Sequence, residues 1–218
     1  MNDLHAGRPV LSVGPPLGTG SGVVIMLHGR GAGAENILEL VPALDRSQFT
    51  YLAPAAAGNT WYPYSFLSAI ERNEPYLSSA LGRIETLLAE AAAKGIPKAR
   101  VVLLGFSQGA CLAGEFSCRN AGRYGAVVMW SGGLIGPPGT TWNHAGAFDG
   151  TPVFLGCSDR DPHIPKERVD ESAAVLTRMG AAVTERIYPG MGHTVNDDEI
   201  AFVQTLLDGV GGGRPPRT

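Results

Sequence analysis

The chain has little charge and little cysteine. Only 17% of its 218 residues are Asp, Glu, Lys or Arg, and the formal net charge is -3 with no basic cluster. That balance argues against nucleic acid as a partner, which would call for a basic face or stripe. Cysteine occurs three times, at Cys111, Cys118 and Cys157. An odd number at scattered spacing does not suit a disulfide framework, and no C-x-x-C or histidine-cysteine cluster suggests a zinc site. Free buried thiols in a reducing cytoplasm are the expectation. Long apolar runs are missing too, so no membrane span is expected. The start "MNDLHAGRPVLSVGPP" lacks the charged and apolar regions of a secretory signal.

Hydrophobic residues make up 44% of the chain, an ordinary globular share, and the length suits one domain. "VVIMLH" (23–28), "FTYLAP" (49–54), "VVLLGF" (101–106), "AVVMWSG" (126–132) and "PVFLGCS" (152–158) read as strands. They are short and nearly continuous in hydrophobicity, as strands covered on both faces are. "VTERIYP" (183–189) alternates more and reads as an edge strand. Between the strands, Leu77, Leu81, Ile84, Leu88 and Ala91 repeat at helical spacing before Gly95 and Pro97. Val169, Ala173 and Leu176 mark another helix. Ile200, Val203, Leu207 and Val210 mark a last one, opened by a capping-box pair, Asn196 and Glu199. This alternation predicts an α/β fold with a doubly wound, mainly parallel sheet and helices on both faces. The domain is expected over 1–208, with 209–218 a flexible tail. About 133–151, between two strands, is too short for a cap domain.

Such sheets bind ligands at the carboxyl ends of their strands. Gly105-Phe106-Ser107-Gln108-Gly109 lies at such an end, between a strand and a helix. A G-x-S-x-G match arises by chance in roughly one sequence of this composition in five, so its context has to decide. On a strained strand-to-helix turn Ser107 would stand clear of the sheet, and the N–H of Gln108 would point at a reacting oxygen. Serine needs a base. Among five histidines, His5 falls in a frayed terminus, His144 in a polar loop and His163 beside acids; His28 suits a structural role. His193, in "YPGMGHTVNDDE", follows the last strand between glycines. The loop "GCSDRDPHIP" offers two acids, Asp159 and Asp161. Serine, aspartate, histidine is the chain order of α/β-hydrolases. "MLHGRGAGAENIL" supplies a glycine-rich turn for a second oxyanion donor, without the lysine of a phosphate-binding loop.

The segments "LHGRGA", "GFSQGA", "SDRDPHIP" and "GMGHTV" resemble the phospholipase/carboxylesterase family of small serine α/β-hydrolases, which includes acyl-protein thioesterases. The resemblance covers about residues 20–208. It implies an α/β-hydrolase fold, Ser107 as nucleophile, Asp161 as orienting acid, His193 as base, and the main-chain N–H groups of Arg30 and Gln108 as oxyanion donors. No cofactor is expected, and the sequence offers no metal site. "NTWYPYSF" (59–66) looks like the family's aromatic loop, and Trp61, Tyr62, Tyr64 and Phe66 are expected to line the substrate pocket. Arg30 after the His-Gly pair looks like bacterial esterase members and favours small or medium-chain esters. Its guanidinium is left with two roles, bracing the loop or meeting an anionic part of the substrate.

The expected function is a cytoplasmic serine carboxylesterase acting on small-molecule esters, with a homodimer left open. The alternatives are an acyl thioesterase or lysophospholipase with the same triad, or a non-catalytic α/β-hydrolase-like binding protein.

Overall fold

A computed structural model describes residues 4–211 of the chain. Among these, β1 (Val10–Val13), β2 (Gly22–Leu27), β3 (Phe49–Pro54), β4 (Val101–Phe106), β5 (Ala126–Trp130), β6 (Pro152–Ser158) and β7 (Ala182–Tyr188) form one sheet. Their order is β1-β3-β2-β4-β5-β6-β7. Every neighbouring pair is parallel except β1 with β3.

The continuous hydrophobicity of the central strands has a direct cause. Helices α3 (Tyr76–Ala93), α4 (Gln108–Arg119) and α5 (Lys166–Arg178) cover one face. Helices α1 (Ala34–Leu38), α2 (Val41–Leu44) and α6 (Asp197–Gly211) cover the other. On β2, Val23, Ile25 and Leu27 pack under the first set, while Val24 and Met26 pack under the second. Neither face can be polar, because each such side chain gains about 1.5–3 kcal/mol by leaving water. The outer β7 is only half covered, and it carries the alternation of an edge strand. The result is an α/β-hydrolase fold, with no cap domain among the described residues. Residues 131–151 join β5 to β6 with neither helix nor strand.

Strand β1 is absent from the sequence reading. It has four residues, is half exposed and lies between Pro9 and Pro15, so it carries too little pattern to register. The stripe on α3 also turns slightly. Leu77, Ala80, Ile84, Leu87 and Ala91 are buried, and Leu81 and Leu88 sit at its margin. The last helix runs through Gly211, so the expected start of a tail at 209 is corrected, and residues 212–218 lie outside the described part. His5 corrects a further expectation. It is not frayed but fully buried: Ala57 N–H donates to its Nδ1 at 3.0 Å, and its Nε2 bonds Trp61 O at 3.1 Å. All three cysteines are buried and free, and burial pushes the Cys111 thiol up to about 12. No helix among the described residues is long and apolar enough to cross a membrane.

At the start of α6 the capping box forms in both directions. Asn196 N–H donates to Glu199 Oε2 and Glu199 N–H donates to Asn196 Oδ1, both at 2.9 Å. Glu199 is fully buried, and burial pushes its carboxyl up to about 7, against the opposing effect of the Asn196 N–H. The folded state therefore holds this proton more tightly than the unfolded state does. The contribution to stability is fully present below the ordinary carboxylate range and is lost as pH rises through about 7. Glu199→Gln, which cannot ionise, is expected to flatten the dependence of Tm on pH between pH 5 and 8. Thermal unfolding across that range checks it, and an unchanged slope would show that Glu199 does not titrate there.

Candidate active site

The turn at the end of β4 is built by close packing. Gly105 lies against the Gly109 carbonyl, and Gly109 lies against the carbonyl of Leu27 on β2. A Cβ on either glycine would collide with backbone, so the strand and α4 can meet at this angle only with glycine at both places. Between them Ser107 is held at φ 55, ψ -119, a conformation unfavourable for a residue with a side chain. The surroundings hold it there. Ser107 N–H donates to Trp130 O at 2.9 Å, and its carbonyl accepts Cys111 N–H at 3.0 Å. The side chain is thereby lifted off the sheet in front of the N-terminus of α4, where the first helical N–H groups have no acceptor within the helix.

His193 Nε2 lies 2.9 Å from Ser107 Oγ, and His193 Nδ1 lies 2.6 Å from Asp161 Oδ2. The carboxylate can only accept, so Nδ1 carries the ring proton and Nε2 is free to accept the serine hydroxyl. The Asp161 side chain is buried, and Oδ1 also accepts the N–H groups of His163 at 2.8 Å and Ile164 at 3.1 Å. Burial alone would raise its carboxyl. The bonds from the His193 ring and these two N–H groups outweigh burial and hold it below the usual carboxylate value. The Cys157 thiol approaches the same Oδ2 at 3.8 Å.

Asp159 takes another part. Its Oδ1 accepts Gly190 N–H at 2.7 Å and its own N–H donates to Tyr188 O. It thus ties the acid loop to the turn that leads to His193.

Gly29 and Arg30 follow β2 and run beside the serine; a Cβ built on Gly29 would stand 3.5 Å from Ser107 Cβ. A cavity of about 450 Å³ opens here, lined on one side by Arg30 and Tyr62 to Phe66 and on the other by Ser107, His163, Ile164 and His193. A second cavity, about 350 Å³, lies across His193 and Phe106 against Ile37, Leu40 and Val195.

Of the four aromatic residues expected in the pocket, Tyr62, Tyr64 and Phe66 line the first cavity. Tyr64 is 47% exposed, and Arg72 stacks 4.3 Å over its ring. Trp61 does not line it. It is fully buried, donates from Nε1 to His28 O at 2.9 Å, and packs between His5 and His28. Its indole is a core group because the loop turns inward at that residue. Trp61→Ala is expected to cost about 3–5 kcal/mol of stability, read from chemical unfolding. A shift in substrate preference without that loss would restore it to the pocket.

Two side chains brace this loop; bracing is one of the two roles the sequence left to Arg30, and the part played by the Gln108 side chain was not legible there. Gln108, read there only for its main-chain N–H, accepts Trp61 N–H at 2.9 Å and donates to Tyr62 O at 2.7 Å through its side chain. Arg30 donates from Nη1 to Pro63 O at 2.7 Å and from Nη2 to Tyr64 O at 2.6 Å. Asn73 adds a third, accepting Tyr64 N–H. His28 is structural, as read: its Nδ1 donates to Gly29 O and its Nε2 accepts Ala56 N–H, while burial lowers its pKa.

The comparisons with known proteins agree with this architecture. The sequence pattern of the phospholipase/carboxylesterase family matches residues 10–210. A phospholipase/carboxylesterase from Dyadobacter fermentans is 41% identical, with a TM-score of 0.88 over 92% of this chain and 96% of that one. The acyl-protein thioesterase 1 of Eremothecium gossypii is 29% identical over 84% of this chain and 87% of its own. A carboxylesterase of Bacillus cereus, 20% identical, shares the fold with a TM-score of 0.71 over 96% of this chain and 100% of its own. With a family match across nearly the whole length and a 41% identical structure of the same architecture, this chain belongs to the phospholipase/carboxylesterase family.

Proposed function

We propose that this carboxylic ester hydrolase is a serine carboxylesterase that acts through Ser107, His193 and Asp161. The observation that carries the reading is the unbroken chain of hydrogen bonds from Asp161 through His193 to Ser107 Oγ at the wall of a cavity. Ser107 Oγ attacks the ester carbonyl carbon while its proton passes to His193 Nε2. Asp161 keeps the imidazole in the accepting tautomer and stabilises the imidazolium. The oxyanion is held by the main-chain N–H groups of Arg30 and Gln108, the latter at the positive end of α4. The tetrahedral adduct collapses, the C–O bond breaks, and His193 returns the proton to the leaving alcohol. A water then gives its proton to His193 and attacks the acyl-enzyme, releasing the acid and restoring Ser107.

The preferred substrates on this reading are small or medium-chain esters. A 450 Å³ cavity with no cap suits a small molecule. The name of the Eremothecium relative supports a second reading, hydrolysis of acyl thioesters through the same groups. Covalent labelling of Ser107 by a fluorophosphonate, followed by initial rates on p-nitrophenyl esters and acyl-CoA thioesters, tests both. Labelling with faster turnover of esters is the expected result. Faster turnover of thioesters would select the second reading, and no labelling would reject the mechanism.

A further inference from the structure

Among the described residues Arg30 makes no ion pair; the two acceptors of its guanidinium, the carbonyls of Pro63 and Tyr64, are neutral. Among the described residues it is the single permanently charged side chain lining the cavity beside Ser107, and no Asp or Glu lines that cavity. The nearby carboxylate, Asp161, has a fully buried side chain committed to His193 and to the N–H groups of His163 and Ile164. The N-terminus of α4 faces the same space and adds partial positive charge. His163 stands opposite, its ring edge-on to His193 at 4.8 Å between centroids. The lining therefore combines a fixed positive charge and hydrogen-bond donors with aromatic rings.

A neutral ester has no use for this charge. A guanidinium has five N–H donors, and two here are directed at carbonyls, which leaves donors for another oxygen acceptor. We propose that the site favours esters that carry a carboxylate, such as the monoesters of dicarboxylic acids, with the carboxylate set against Arg30. This rests on the ester-hydrolase mechanism above and names its substrate class. Arg30 is then a specificity residue as well as a brace. Its fixed fork, held by Pro63 and Tyr64, meets the carboxylate without further loss of side-chain freedom.

The test compares monoethyl adipate with ethyl hexanoate, which share the ethyl ester and four methylenes and differ at the far end of the acyl chain, a carboxylate against a methyl. The quantity read is the ratio of their kcat/KM values within each variant, so damage to the loop or the oxyanion site cancels. Arg30→Met is expected to lower this ratio about fivefold, the upper range for a solvent-exposed charge pair. Arg30→Lys, which keeps the charge and loses the fork, is expected to retain at least about half of it. Added NaCl should lower the wild-type ratio and leave that of Arg30→Met unchanged. The inference is overturned if wild type and Arg30→Met give the same ratio, or if Arg30→Lys falls as far as Arg30→Met. In either case, wild-type turnover of ethyl hexanoate with labelling of Ser107 leaves the ester-hydrolase mechanism standing. Failure to hydrolyse both esters, without labelling, overturns that mechanism and this inference with it.

Discussion

Ser107→Ala is expected to lower kcat for ester hydrolysis by several orders of magnitude, on the order of 10^4 to 10^6. The substitution removes the one atom that would bond to the acyl carbon. The remaining site can still orient an ester and donate to its oxyanion, so a small residual rate over water is expected. The fold should be untouched. Alanine keeps the Cβ that meets the strain at φ 55, and the N–H and carbonyl that bond Trp130 and Cys111 belong to the main chain. The hydroxyl contributes only its bond to His193, at the wall of an open cavity. Tm should thus stay within a few degrees, about what a loss of 1 kcal/mol or less produces in a domain of this size. Activity and Tm are to be measured on the same preparation, with fluorophosphonate labelling as a check for contaminating wild type. More than about one hundredth of the wild-type rate in an unlabelled, folded sample would rule Ser107 out as the nucleophile.

Asp161→Asn and Asp159→Asn should separate sharply, although the residues are two apart. In Asp161→Asn the amide oxygen can still accept from the His163 and Ile164 N–H groups, so the loop should hold its shape. The amide nitrogen then faces His193 Nδ1 and can only donate. That forces the ring proton onto Nε2, where it blocks acceptance of the Ser107 proton. A fall in kcat of up to about ten-thousandfold is expected. Asp159 accepts one main-chain N–H, from Gly190 at 2.7 Å, and asparagine can accept it as well. The loss there should be below about tenfold, arising from a looser tie between the acid loop and the histidine turn. Both variants should be assayed at saturating substrate near pH 8. A crippled Asp159→Asn beside an active Asp161→Asn would transfer the orienting role to Asp159.

What can be read from a sequence depends on how far apart in the chain the interacting groups lie. The strands are legible because burial on both faces removes polar residues from consecutive positions, as in Val23 to Leu27. The capping box of α6 is legible because its two bonds span three residues. The turn at Ser107 is legible for a similar reason, since its glycines answer to the packing of one strand against the helix that follows it. Spacing alone left Asp159 and Asp161 open, since it places both in one loop; the family resemblance chose Asp161, and in the structure the turn from Tyr188 to His193 sets Asp161 against the histidine and Asp159 against Gly190. Trp61, His5 and the side chain of Gln108 were not legible. Trp61 bonds His28 and Gln108 across 33 and 47 residues, and His5 bonds Trp61 across 56. A tryptophan beside three pocket-lining rings has the same chemistry whether it faces a substrate or the core. The sequence by itself determined the layered α/β sheet, the strand-end location of the site and the residue types available for its chemistry, because each follows from local periodicity or local sterics. Only the tertiary structure decided which rings face the cavity and what Arg30 holds, because those outcomes depend on loops that meet in space far from one another in the chain.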